Sequence, residues 1–157
     1  MSVSARLSVR TTSLALAAAG LAVAGTVLTG GAASAAAGNN NRVQLTAALS
    51  GAQEVPGPGD MDGRGVGTLD VKVASGRICY TLQVSGIEPA AAAHIHEASA
   101  GQSGPVVRGL IAPSDGSSSG CFTDRELARD IFADPADYYL NVHNAAFPGG
   151  AIRGQLG

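Results

Sequence analysis

Two alternating runs joined by a short glycine-containing connection constrain this chain more than any other stretch. Val66-Gly67-Thr68-Leu69-Asp70-Val71-Lys72-Val73 places apolar side chains at every second position over its second half. After Ser75-Gly76 the run Arg77-Ile78-Cys79-Tyr80-Thr81-Leu82-Gln83-Val84 does the same. A period of two is the pattern of an extended strand with one buried face, and a tight turn between two such runs makes a β-hairpin. Ile78, Tyr80, Leu82 and Val84 then share the core face. Cys79 points the other way, so its partner must come from a neighbouring strand or loop on that side.

The rest of the chain uses the same grammar. Arg42 to Leu49 alternates in its first half, and the prolines and glycines of Ser50 to Gly59 end it in a loop. Asp60-Met61-Asp62-Gly63 has the opening of a calcium loop but lacks the further carboxylates, so it reads as a turn. Gly101-Gln102-Ser103-Gly104 precedes an apolar run, Pro105 to Ile111, with no Lys-Ser/Thr after it, which excludes a phosphate cradle. Asp115 to Gly120 reads as a flexible connector. Thr123-Asp124-Arg125-Glu126 has the form of a capping box, with Thr123 at the N-cap and Glu126 three residues on. It predicts a short helix near 124–133 with Leu127, Ile131 and Phe132 on its apolar side, ended by Asp134-Pro135. Tyr138 to Asn144 and Ala151 to Leu156 are strands about a Phe147-Pro148-Gly149-Gly150 turn. About seven short strands and one brief helix describe an all-β antiparallel sandwich or barrel.

The first 35 residues stand apart. Arg6 and Arg10 precede an apolar Leu14 to Gly25 stretch, and Ala33-Ser34-Ala35 supplies an A-x-A site. These are the three parts of a secretory signal peptide, expected to be cleaved after Ala35. No twin arginine marks a Tat-type signal, and no cysteine stands at the cleavage site to carry a lipid. A short polar segment, 36–41, leads into a β domain over 42–157. Removing the leader leaves 122 residues, enough for one compact domain. It also leaves eight basic residues against twelve acidic, a net charge of −4, which gives no support to partners such as nucleic acid or an anionic membrane. The two cysteines, Cys79 and Cys121, are expected to form one structural disulfide in an oxidising compartment.

The chain has three histidines, and they sit in two strand-like runs. His94 and His96, in Ala93-His94-Ile95-His96-Glu97, project from the same face of an extended chain. His143 ends Tyr139-Leu140-Asn141-Val142-His143, with Tyr139 and Asn141 on its own face. If the two faces meet, three imidazoles converge, a ligand set suited to zinc or copper. The competing reading is a polar cluster whose histidines bond to backbone or to Glu97, Asp137 or Arg153. No serine lies in a G-x-S-x-G elbow, and no carboxylate pair stands out as a glycosidase site.

Four pieces, in this order and spacing, resemble the CHRD domain, the module named after chordin and present in exported bacterial proteins. They are Leu49-Ser50-Gly51-Ala52-Gln53-Glu54-Val55-Pro56, Ala93-His94-Ile95-His96, Gly101-Gln102-Ser103-Gly104-Pro105-Val106-Val107, and Tyr139-Leu140-Asn141-Val142-His143 running through Pro148 to Leu156. The resemblance spans about Val43 to Leu156. It implies an immunoglobulin-like sandwich or barrel related to that of copper/zinc superoxide dismutase, and it implies no settled activity. Where the family usually has an acidic residue, this chain has Ala151. A dinuclear copper/zinc site of the dismutase type needs more histidines than the three present, so dismutation is rejected. The expectation is a secreted, non-enzymatic binding or structural module that takes an unidentified extracellular protein or small ligand, with copper or zinc the only cofactors the residues suggest. In it His94, His96 and His143 form a polar cluster, with Asn141 and Arg153 ordering the adjoining hairpin. The alternative is a mononuclear copper or zinc protein using the same three histidines.

Overall fold

The structure, a computed structural model, describes residues 41–157, so the expected signal peptide lies outside the described residues. Eight strands are present among them: β1 (Arg42–Ser50), β2 (Arg64–Lys72), β3 (Arg77–Ser85), β4 (Ala90–Glu97), β5 (Val106–Leu110), β6 (Ser117–Thr123), β7 (Tyr138–Asn144) and β8 (Ile152–Gln155). One α-helix, α1 (Arg125–Ala133), lies between β6 and β7. Every pairing is antiparallel and the sheet order is β5-β4-β7-β8-β1-β2-β3-β6. The sheet curls into a nearly closed barrel, as the all-β reading requires. Its two edge strands approach through side chains. The Ile111 N–H donates to the Tyr80 hydroxyl at 2.8 Å, the Ser118 hydroxyl donates to the Ile111 carbonyl at 2.7 Å, and the Arg108 guanidinium lies 4.0 Å from the Phe122 ring centre. Among the described residues no helix is long and apolar enough to cross a membrane.

The hairpin is as the alternation demands. β2 and β3 pair from Arg64–Ser85 to Lys72–Arg77, and Gly76 turns the chain at φ +71°, a left-handed conformation that glycine adopts without steric cost. Ile78, Tyr80 and Leu82 are buried and Val84 packs on the edge of the same cluster. They meet Leu45, Ala47, Leu69, Val71, Ala93, Ile95, Leu140, Val142 and Ile152 inside the barrel. Fully burying a side chain of Leu or Ile size is worth roughly 1.5–3 kcal/mol, so this interior holds the fold together.

Two expectations around β6 are corrected. Ser117 to Gly120 are strand residues, each opposite a residue of β3, although their sequence lacks apolar alternation. Gly120 is required by its neighbour, since a Cβ there would press on the Tyr80 ring. The helix begins one residue later than the capping box suggests. Thr123 is committed to the ladder opposite Arg77, and Asp124 is the N-cap, its Oδ1 accepting from the Leu127 N–H at 3.1 Å. Leu127, Ala128 and Ile131 are the buried side of α1, while Phe132 is exposed.

Cys79 and Cys121 are directly opposite in the β3–β6 ladder and form a disulfide, on the face away from Tyr80. It closes a loop with a sequence separation of 42 residues, for which the chain-entropy treatment gives up to about 4 kcal/mol. Replacing both cysteines by serine is expected to lower unfolding free energy in denaturant titration by up to that amount. Two free thiols titrated in the native oxidised protein would contradict the bridge.

Candidate metal centre

The pairing of β4 with β7 decides where the histidines go. His94 is opposite Asn141, His96 opposite Tyr139 and Ala92 opposite His143. Directly opposed residues share a face, so all three imidazoles lie on one side of two neighbouring strands. Convergence is therefore lateral, along one sheet, and needs no second sheet to face the first. The other side carries Ala93, Ile95, Leu140 and Val142, which are at most 1% exposed inside the barrel. The histidines thus stand on the outer face, beneath loops, and are not part of the apolar core.

Two irregularities frame the cluster. The β4–β5 register shifts between Ile95 and His96, with Val107 as the extra residue, and the β4–β7 register shifts between Ala90 and Ala92. Bulges of this kind bend a strand and re-aim side chains. The ring centres of His94 and His143 are 4.9 Å apart, those of His94 and His96 5.5 Å. One nitrogen from each of the three rings lies within 4.8 Å of the others.

The outward nitrogens are fixed by backbone carbonyls. His96 Nδ1 donates to the Gly104 carbonyl at 3.0 Å, and His143 Nδ1 donates to the Pro148 carbonyl at 3.0 Å. Each bond leaves the lone pair of the neutral ring on Nε2. His94 Nδ1 lies 3.1 Å from His143 Nε2. Burial lowers the pKa of both His96 and His143, which favours the neutral rings a metal requires. None of the three bonds to Glu97, Asp137 or Arg153.

Gly104 is a clasp. Its carbonyl accepts from His96, its N–H donates to the Tyr139 hydroxyl at 3.3 Å, and a Cβ would collide with the Glu97 carbonyl. His96 stacks on Tyr139 with ring centres 4.7 Å apart and planes 12° from parallel. The Arg153 guanidinium also lies on Tyr139, 3.4 Å from the ring centre. Arg153 is 2% exposed, and it donates to the carbonyls of Gln102 and Ser99 at 2.6 and 3.3 Å. It therefore ties down the loop after β4, and through the Tyr139 ring and Gln155 Oε1, to which it donates at 3.2 Å, it also contacts the two strands of the β7–β8 hairpin.

Sequence reasoning overlooked Glu54. Its carboxylate is folded back over β7, where the Asn141 carboxamide donates to both oxygens at 3.1 and 3.4 Å. Glu54 is 6% exposed, and a Cβ on Gly150 would occupy the space its carboxylate fills. The one ion pair among the described residues is Arg42–Asp70 at the surface, so Glu54 and Arg153 are two buried ionisable groups without a salt-bridge partner. Glu54 lies in the first piece of the resemblance, and its place between Gln53 and Val55-Pro56 gave no periodicity to mark it as buried.

A curled antiparallel barrel with a loop-covered polar face on β4, β7 and β8 is the class of protein these features define. The chain belongs to the CHRD domain family, whose model matches residues 45–156. No curated protein matches the sequence.

Desolvation pushes the Glu54 pKa up to about 7 from 4.5, against smaller opposing effects of Asn141, Arg153 and the Val55 N–H. The folded state therefore holds this proton to higher pH than the unfolded chain does. Its contribution to stability is full below the unfolded pKa and is lost as pH rises from about 4.5 through about 7. Glu54→Gln lacks this dependence. Melting curves of the variant and the wild type are expected to diverge in the variant's favour between about pH 5 and about pH 8; a constant difference would refute the buried ionisation.

Proposed function

We propose that this chain is an exported, non-enzymatic CHRD module that holds one copper or zinc ion through His94, His96 and His143. The observation that carries the reading is the approach of the three ring nitrogens. Atoms no more than 4.8 Å apart all lie within about 2.8 Å of a common point, against roughly 2.0–2.1 Å for a zinc–imidazole bond. A sub-ångström contraction completes the coordination. The Gly104 and Pro148 carbonyls support it, because bonds of this kind fix the tautomer and ring orientation of ligating histidines. Three histidines in the whole chain leave no second metal of the dinuclear type. The Cys79–Cys121 disulfide supports export, since such bonds persist in oxidising compartments.

Protein made without a His tag and stripped with chelator should take up about one equivalent of zinc or copper(II) in calorimetry. His94→Ala should bind more than about 100-fold more weakly, since even partners behind the ligands are worth 10–100-fold. Equal metal content in both proteins would remove the metal and leave the histidines as a hydrogen-bonded cluster. For export, the intact mass of the secreted protein should correspond to a chain beginning at Ala36 with one disulfide. Retention of residues 1–35 would overturn cleavage there.

A further inference from the structure

Three side-chain atoms among the described residues are buried without a hydrogen-bond partner, and two of them, His96 Nε2 and Asn141 Oδ1, belong to the face that carries the histidines; the third is Asn144 Nδ2. The residues of the first two are 9% and 3% exposed, and the two atoms themselves are not at the surface. A buried polar atom without a partner is costly and marks a place where a partner belongs. Both atoms are acceptors. His96 donates through Nδ1 to Gly104, which leaves a lone pair on Nε2. Asn141 spends its NH2 group on Glu54, which leaves its carbonyl oxygen free.

Their arrangement is set by the ladder. Asn141 is directly opposite His94 and two residues before His143 on the same outer face. His96, two residues beyond His94, is its diagonal neighbour on that face. Two acceptors held out of water on one face each lack a donor. A proton between them would relieve this only by creating a buried imidazolium. A metal cation relieves it while satisfying both atoms at once.

We propose that Asn141 Oδ1 is the fourth ligand of the ion held by His94, His96 and His143, and that Glu54 is the residue that aims it. The inference rests on the metal reading above. If the carboxamide were turned over, its oxygen would face the Glu54 carboxylate, so the ionised form of Glu54 selects the orientation with the NH2 group toward itself and Oδ1 away from it. Donation of the NH2 group to a carboxylate also polarises the amide and makes its oxygen a stronger donor. Three imidazole nitrogens and one amide oxygen form a closed four-coordinate set. Closed sites are structural, whereas catalytic sites keep a position open to water or substrate.

The test uses the mature chain with zinc for calorimetry and cobalt(II) for visible spectroscopy, in which four-coordinate cobalt absorbs much more strongly than higher-coordinate cobalt. Asn141→Leu should weaken zinc binding by at least about tenfold and shift the cobalt absorption bands as water replaces the amide oxygen. Glu54→Gln, which keeps shape and hydrogen-bonding capacity, should weaken zinc about tenfold while leaving the histidines intact. Wild-type affinity and an unchanged cobalt spectrum in Asn141→Leu would overturn the ligand assignment even though His94→Ala abolishes binding. Unchanged affinity in Glu54→Gln would overturn its aiming role, and this variant decides the case if Asn141→Leu does not fold. Wild-type protein that takes neither metal would overturn the metal reading itself, and this inference with it.

Discussion

The outer face of this barrel depends on the register between β4 and β7. Side chains alternate across a strand, so a slip of one residue would turn His94 and His96 into the barrel and Ile95 out to the loops. The register is held from the inside. Ala93, Ile95, Leu140 and Val142 are packed in the core, and none of their places could accept an imidazole without an unpaired buried polar group. The apolar interior therefore sets the polar exterior. His94, Asn141 and Arg153 fall in one transverse row over β4, β7 and β8, and His96, Tyr139 and Gln155 in the next.

Those rows are covered by the loop after β4 and the segment after β1, and the covering has an electrostatic cost. Glu54 and Arg153 are both withdrawn from water, and neither has an oppositely charged partner in contact. Arg153 is compensated by the Gln102 and Ser99 carbonyls, the Gln155 side chain and the Tyr139 ring. Glu54 has one carboxamide and the Val55 N–H, and its proton is correspondingly harder to remove. Ion-paired directly, the two charges would neutralise each other and leave Asn141 free to turn. Kept apart, they do separate tasks: Arg153 fastens a loop and Glu54 orients an amide. A buried charge retained for orientation is a specificity device whose contribution to stability is small or negative.

Much of this was legible in the sequence where periodicity reports burial. The β2–β3 hairpin, the inward face of β3, the outward Cys79 and the shared face of His94 and His96 all follow from a period of two. The strand β6 did not, because Ser117-Ser118-Ser119-Gly120 lies at a sheet edge and its ladder bonds ask nothing of side-chain polarity. The N-cap fell one residue late because Thr123 belongs to a strand, and strand pairing outweighed a local capping preference. Glu54 and Gly104 were invisible for a different reason. Their roles come from loops folding back over strands far away in sequence, and loop residues carry no period to betray such contacts.

The number of histidines separates what this fold can hold from what it does here. Three imidazoles bring one ion together, and a lone ion with an open corner would suit hydrolytic or redox chemistry. As the fourth ligand, the orphaned Asn141 oxygen would fill that corner, behind Glu54 and under the segment after β1. Opening the corner would require Asn141 to turn against a carboxylate, so the neighbourhood that buries the site also opposes its use as a catalyst. A metal held this way would fasten β4 to β7 at the face the loops cover. In that role the ion would do for the outer face what the apolar cluster does for the interior: it would fix one register and one arrangement of the loops, on which any partner surface would then be built.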